Sequence, residues 1–489
     1  MNIKINKILC LLVFCNLFMS VGGVSAFDNI GHQHNKELLN IQNHKSDDII
    51  VINQQTQQNK ESTNNSTNTL TVGTFKELNE KIQEAIQNNE KVVELDKDYK
   101  YDKNNDKDLQ KKGIIIPEDI TINGNNHIID GSETAKVFTI PKNSSANYVT
   151  IKNLNFKNTN TTDCGSAIES NKIKCTISNC EFNNSYAYGG AISGEDGELN
   201  IDNSIFRSNK GYFEGGAIYC ENENITIKTS YFINNHAQHT GGVICSKESK
   251  LTIKYSIFEN NICKGEKIEN CEGGAIYSTG NLDITYSDFI NNNAYDYGGA
   301  IYSTEDIKLN DCKFSSNSAL DNDGGAIYCE KGLDIVNCNF SNNKAYEDGG
   351  AIISRGNMKN IKNSVFEDNT ANGAKIAQCE GGAIYADNEK LNVEGCKFTN
   401  NMAYDYGGAI WTEKGDITHC SFISNYVSDN DGGAIYYNSA GYVYLNSNNF
   451  TDNHADSKGG AIYCDSSMNH ISVGSNNFVN NHCDSNKGS

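Results

Sequence analysis

The tetrapeptide Gly-Gly-Ala-Ile, once with Val in third place, recurs eleven times, its first Gly at positions 189, 215, 241, 273, 298, 324, 349, 381, 407, 432 and 459. A degenerate Gly-Ser-Ala-Ile precedes the series at Gly165. Spacings are 24 to 27 residues, with two of 32. A Phe keeps the same period. Phe206, Phe232, Phe258, Phe289, Phe314, Phe340, Phe366, Phe398, Phe422, Phe450 and Phe478 are each followed three residues later by Asn, and Phe156 and Phe182 are looser members. Five residues after the Phe stands a small side chain such as Ala294, Ala319 or Ala345. A repeat of this length with short extended pieces and no helix cannot bury its own apolar face, but stacked on its neighbours it can.

The parity of apolar residues gives the geometry. In "LTIKYSIF", Leu251 and Ile253 share one face while Phe258 is out of step with them, so a corner falls between. Each repeat reads as three short strands joined by corners, and the geometry that fits is an all-β parallel β-helix solenoid, each strand pairing with its equivalent one coil away. Short strands divided by corners disfavour a leucine-rich horseshoe, and a propeller lacks its Trp-Asp signature. Separate sandwiches do not account for the unbroken register. With Ile inward, strict alternation predicts the second Gly inward and the Ala outward. The Asn after each Phe is predicted at a corner, in left-handed backbone and with stacked side-chain hydrogen bonds. At about 4.8 Å per strand, thirteen coils would extend on the order of 60 Å.

The rest of the chain is read around this core. Residues 1–26 have the form of a signal peptide: Lys4 and Lys7 precede an apolar run, and "VSA" ends at Ala26. A signal anchor is the competing reading, because the run is near spanning length. Residues 27–73, rich in Asn, Gln, Ser and Thr, are too polar to offset ordering entropy and read as a flexible leader. Within 74–91, Phe75, Leu78, Ile82 and Ile86 follow Thr74 at helical spacing, predicting one N-capped amphipathic helix over the N-terminal end of the stack. The solenoid then takes 92–489. The last coil stops where the next Gly pair is due, which points to truncation or to an end docked on a partner. No further apolar run of spanning length follows the signal peptide, so no transmembrane anchor is expected. The net charge of −20, with Arg207 and Arg355 the only arginines, excludes a nucleic-acid partner as the expected ligand.

The paired motifs "GGAI" and "F-x-x-N" resemble the polymorphic outer-membrane protein repeat. The segment "DITINGNNHIIDG" followed by "VTIKNLNF" is similar to the opening of the right-handed β-helix adhesin-like proteins of methanogens. The resemblance covers roughly Thr74 to the end. It implies a right-handed β-helix of about 13–15 coils with an N-terminal capping helix, in a secreted or surface-displayed protein of adhesive role.

A larger unit is visible too. Gly165 to Gly273 and Gly273 to Gly381 are both 108 residues, and Lys267, Ile268, Cys271 and Glu272 correspond to Lys375, Ile376, Cys379 and Glu380. A block duplication accounts for this. Cys180, Cys312, Cys338, Cys396 and Cys420 occupy one column two before the Phe and read as small buried side chains. Disulfides between Cys312 and Cys338, or Cys396 and Cys420, are the alternative. No Cys-x-x-Cys pair occurs, so no metal and no cofactor are expected. Acidic pairs at Asp321 and Asp323, Asp429 and Asp431, and Glu347 and Asp348 recur with the repeat, as a copied turn does and a unique active site does not. His127, His236, His239 and His419 form no partner pattern.

One column carries the binding expectation. Immediately after "GGAI" stand Tyr219, Tyr277, Tyr302, Tyr328, Tyr385, Trp411, Tyr436 and Tyr463, one place out of step with the inward Ile. Alternation points these rings outward and stacking aligns them into a ribbon. Such rings suit sugar faces or protein patches, and they also stabilise neighbouring strands by cross-strand pairing. The expected function is a non-catalytic adhesin binding cell-surface glycans or proteins. The alternatives are a polysaccharide lyase or hydrolase on the same fold and a purely structural coat or spacer.

Overall fold

A computed structural model describes residues 72–484 except 266–270, 357–359, 374–377, 439–440 and 466–469. The expected signal peptide, most of the polar leader, and Lys267, Ile268, Lys375 and Ile376 lie outside the described residues. The chain forms an all-β parallel solenoid of about fifteen turns. Among the described residues there is one α-helix, Phe75–Gln87, and one short 3-10 turn, Lys107–Leu109. No described helix is long and apolar enough to cross a membrane.

The coil beginning at Gly298 shows the plan. Ile301–Ser303 and Ile307–Asn310 run along one face, Lys313–Ser315 along a second, and Ser318–Ala319 along a third. The first two belong to one sheet of 27 strands, the Phe strand to one of 16, and the two-residue strand to one of 12. The expected three pieces are therefore three faces built from four strands. Elsewhere the first two fuse into single strands, Ile384–Glu394 and Ile410–Thr418. Every pairing is parallel to the equivalent strand one coil away, Ile301 to Ile327, Phe289 to Phe314 and Ala294 to Ala319.

Corners are set by left-handed residues. In this coil Asp311 (φ 53°) precedes the Phe strand and Ser316 (φ 58°) follows it. The left-handed backbone thus falls two residues after the Phe, not on the Asn three after it, as the spacing alone suggested. That Asn does something else. Asn317 is fully buried, and its Nδ2 donates to Phe289 O and to Asn343 Oδ1, both at 3.0 Å. Its backbone N–H donates to the same Asn343 Oδ1 at 3.1 Å. The ladder runs unbroken from Asn209 to Asn481, so each buried amide finds its partners in the coils on either side. Beside it the Phe rings stack from Phe156 to Phe478 with centroids 4.6 to 5.0 Å apart.

The Gly pair occupies the remaining corner, and here strict alternation fails. Ala300 and Ile301 are both fully buried in the core, because their two N–H groups both donate to Ala326 O at 2.9 Å and the chain bends between them. The Ala is inward, not outward. The two glycines differ in their reasons. Gly298 needs φ +63°, while a Cβ on Gly299 would meet Gly325 O in the next coil and lie 2.5 Å from Ser318 N of its own coil.

The column two before the Phe is a second ladder. Ser256 N–H donates to Ser287 Oγ at 3.2 Å, Cys312 N–H to Cys338 Sγ at 3.4 Å, and Cys396 N–H to Cys420 Sγ at 3.4 Å. Cysteine here replaces serine as a small buried acceptor, as the column predicts. Burial pushes the Cys180 thiol up to about 12, which makes it unreactive.

The helix covers the first coil. Thr74 Oγ1 accepts from the Glu77 N–H and Glu77 Oε2 accepts from the Thr74 N–H, each at 3.2 Å, a complete capping box. Phe75, Leu78, Ile82 and Ala85 enter the solenoid core, and Ile86 packs at its edge.

Candidate functional site

The residues after "GGAI" stand in register on successive coils, since Tyr277 pairs with Tyr302, Tyr302 with Tyr328, Tyr385 with Trp411, Trp411 with Tyr436 and Tyr436 with Tyr463. All face away from the core occupied by the neighbouring Ile. Their rings lie parallel: 5.4 Å between Tyr277 and Tyr302, 5.1 Å between Tyr302 and Tyr328, 4.3 Å between Tyr385 and Trp411, and 5.3 Å between Tyr436 and Tyr463. The column is interrupted twice, at Cys245 and Ile353, which occupy the same rung position. It is therefore a lone Tyr219, a run of three rings and a run of four.

Facing away from the core does not leave these rings bare. Tyr302, Tyr328, Trp411 and Tyr436 are 7, 6, 4 and 7 % exposed, whereas Tyr219, Tyr277, Tyr385 and Tyr463 are half-buried. The cover comes from the residue before each Gly pair, a column of Tyr188, Glu214, Thr240, Glu272, Tyr297, Asp323, Asp348, Glu380, Tyr406, Asp431 and Lys458. Tyr297 lies against Tyr328 at 4.8 Å, and Tyr406 against Tyr436 at 4.5 Å. A second apolar cluster results, outside the main core.

Three cations tie the two columns together. Lys247 sits over the Tyr219 ring at 5.5 Å and 2.8 Å from Glu214. Arg355 lies over Tyr328 at 5.6 Å and pairs with Asp323 at 3.3 Å, and Lys458 lies over Tyr463 at 5.3 Å and 3.8 Å from Asp431. With the cations still a third to a half exposed, each such contact contributes about 0.5–1 kcal/mol. Carboxyls of the same column on other coils titrate abnormally. Burial, then the charges of Asp296 and Glu330, raises Glu272 to about 7. Burial, then Asp405, raises Glu380 to about 7, and burial, then Asp323, raises Asp348 to about 8. The acidic pairs noted in the sequence split: Asp323 and Asp431 turn into this column, while Asp429 is exposed and Asp321 half-exposed.

Trp411 Nε1 is buried without an acceptor. By contrast Tyr219 Oη donates to Glu221 Oε2 at 2.9 Å, and Tyr302 Oη to Glu330.

One aromatic pair escaped sequence reasoning. Tyr255 and Tyr286 stack at 5.0 Å with planes 4° apart, at the left-handed corner three before the Phe, and Tyr255 is 38 % exposed. Other coils hold Asn, Asp, Thr, Ser, His or Gly at that corner. Two consecutive bulky residues in a column of turn formers were the available signal, since left-handed backbone is costly for them.

The duplicated loops close alike. Cys271 N–H donates to Asp296 Oδ2 at 2.7 Å and Cys379 N–H to Asp405 Oδ2 at 3.1 Å, while the two sulfurs accept from Gly265 N–H and Gly373 N–H at 3.1 and 3.2 Å.

A family model, the Chlamydia polymorphic membrane protein repeat, matches eight segments: 229–247, 255–279, 287–304, 311–330, 337–354, 363–387, 395–413 and 449–465. The match begins at residue 229, so it does not reach residues 119–131 and 149–156, on which the expected resemblance to methanogen adhesin-like proteins rests. No curated protein and no solved structure gives a significant match. Each matched segment reaches from the Phe strand or just before it through the Gly pair into the strand behind it, and most of the gaps between segments fall on the remaining strand of the coil, as at Leu251–Lys254 and Ile307–Asn310. The eight segments matched between residues 229 and 465 are thus similar to Chlamydia polymorphic membrane protein repeats, and the structure winds them into a parallel β-solenoid.

Proposed function

We propose that the protein is a secreted or cell-surface adhesin that binds glycans or surface proteins along the aromatic face, without catalysis and without a cofactor. The observation that carries this reading is one ring-bearing position repeated on successive coils with a carboxyl, Tyr or cation from the adjoining turn beside it. Half-buried rings offer flat apolar contact to a sugar or a peptide, and neighbouring carboxyls accept its hydroxyl or amide protons. Repetition at coil spacing makes weak contacts multivalent. The repeat family, named for membrane proteins, supports a location at the cell surface. The covered rings Tyr302, Tyr328, Trp411 and Tyr436 stiffen the platform, and Tyr219, Tyr277, Tyr385 and Tyr463 supply its accessible part.

A polysaccharide-active enzyme is the second reading, favoured by Asp348 and Glu380. They stand on successive coils beside Tyr385, both raised toward neutral pH as a general acid requires. One experiment separates the two. The full chain is screened against a glycan and cell-surface panel while reducing-sugar release is assayed. Binding without release is expected. The triple change Tyr219→Ser, Tyr277→Ser and Tyr463→Ser should lower binding by at least about tenfold, the loss of about 1.4 kcal/mol or more. Tm should move by roughly a few degrees, as for about 1 kcal/mol. The change Tyr255→Ser, at the other aromatic pair, should leave binding intact. Loss of binding on Tyr255→Ser alone would move the site to that corner, and sugar release would make the protein an enzyme.

A further inference from the structure

The tetrapeptides "NHAD" at 453–456 and "NHCD" at 481–484 occupy the same place in two successive repeats. Their Asn residues are ladder members, Asn453 Nδ2 donating to Asn481 Oδ1 at 2.8 Å, and this fixes the residues that follow. His454 and His482 are paired in register on the short-strand sheet, with His482 N–H donating to Asn453 O at 3.1 Å. Their rings lie 4.3 Å apart. On the preceding coil the column holds Tyr426, which packs edge-on against His454 at 5.2 Å.

We propose that His454, His482 and Asp484 form a binding site for a divalent transition-metal ion of the zinc class. One ligand atom from each lies within 4.8 Å of the other two. His454 Nε2 is a buried atom with no hydrogen-bond partner, although Asp484 Oδ1 is only 3.3 Å away. In a tetrahedral site with bonds of about 2.0–2.1 Å, ligand atoms stand about 3.3 Å apart, so the pair already has the spacing of one tetrahedral edge. His482 Nδ1 lies 3.4 Å from Asn480 O, so the tautomer protonated at Nδ1 has a backbone acceptor and leaves Nε2 as the ligand atom, the usual support for a ligating imidazole. Two imidazoles and one carboxylate suit zinc, nickel or copper ions better than calcium or magnesium. The ion would clamp adjacent coils on the face carried by the two-residue strands, leaving a fourth position for water or a group from a partner. This inference stands on different residues from the aromatic face and does not depend on it.

The test uses the full chain, purified without a histidine tag and freed of metal by chelation. Titration with zinc should show a stoichiometric site that calcium does not fill. It should weaken by at least about tenfold, the scale on which even supporting residues act, in His482→Gln and Asp484→Asn. His236→Gln, far along the same sheet, should bind as the parent does. Unchanged metal-free melting temperatures show that the variants fold, and Asp484, 59 % exposed at its side chain, is the change least able to disturb packing. Cobalt loading should give ligand-field bands without thiolate charge transfer. The absence of stoichiometric zinc binding, binding undiminished in both variants, or a thiolate band assigning the ion to cysteine would each overturn the proposal.

Discussion

At the scale of single residues, the unexpected feature is how many carboxyls the solenoid takes out of water. Glu223 is 2 % exposed and neither of its oxygens has a well-aligned partner. Burial raises it to about 8, with the Cys220 thiol opposing the shift. Asp348, Glu272 and Glu380 follow in the same direction. A carboxyl whose folded pKa lies above its unfolded value keeps its proton in the folded state. Its contribution is fully present below about pH 4.5, the unfolded value, and is lost as pH rises through the folded values near 7 and 8. Stability should therefore fall between about pH 5 and 8, measured as a declining Tm, and Glu223→Gln should flatten part of that slope. A Tm rising steadily over the same interval would contradict it. None of this was visible in the sequence. Glu223 stands in "ENEN", which looks like a solvated turn, and only the fold shows that its coil turns it inward.

At the scale of the element, the corners decide the coil. The Asn ladder was readable because a side chain demanded at each coil announces itself by its period. The Ala orientation was not, because alternation holds only within a straight strand and the Gly pair bends the chain one residue before the Ile. Two substitutions separate the devices. Asn317→Ala removes the donor to Phe289 O, takes one of the two protons from Asn343 Oδ1 while the backbone N–H of residue 317 keeps the other, and leaves the Asn292 N–H and Nδ2 without their acceptor, at about 1–3 kcal/mol for each buried group left unsatisfied. Gly299→Ala forces a Cβ into the backbone of the next coil, so its neighbour must shift. Both should lower the denaturant midpoint, whereas Ser315→Ala, on the half-exposed side of the Phe strand, should leave it within about 0.5 kcal/mol. Equal tolerance at all three positions would show that the corner is not where specificity resides.

At the scale of the whole solenoid, each coil packs against its two neighbours, with only side-chain reaches such as Tyr212 Oη to Thr162 O and Lys142 to Glu195 skipping a coil, so stability is largely a sum of local terms and neighbour terms. The Phe stack is the strongest neighbour term visible. Phe314 is fully buried between Phe289 and Phe340, at 4.8 and 4.9 Å. The repeat period made this column readable from sequence. How far the solenoid behaves as one cooperative unit was not, because that depends on contacts between coils that a period does not measure. Phe314→Ala opens a cavity in the middle of the stack and should cost about 3–5 kcal/mol. In a globular core such a loss is shared by the whole domain. Here hydrogen exchange should accelerate in the coils of Phe289, Phe314 and Phe340 and fade with distance, leaving the coil of Phe182 close to the parent. Uniform acceleration from Phe182 to Phe450 would mean that the coils fold as one unit and that nearest-neighbour additivity does not describe this protein.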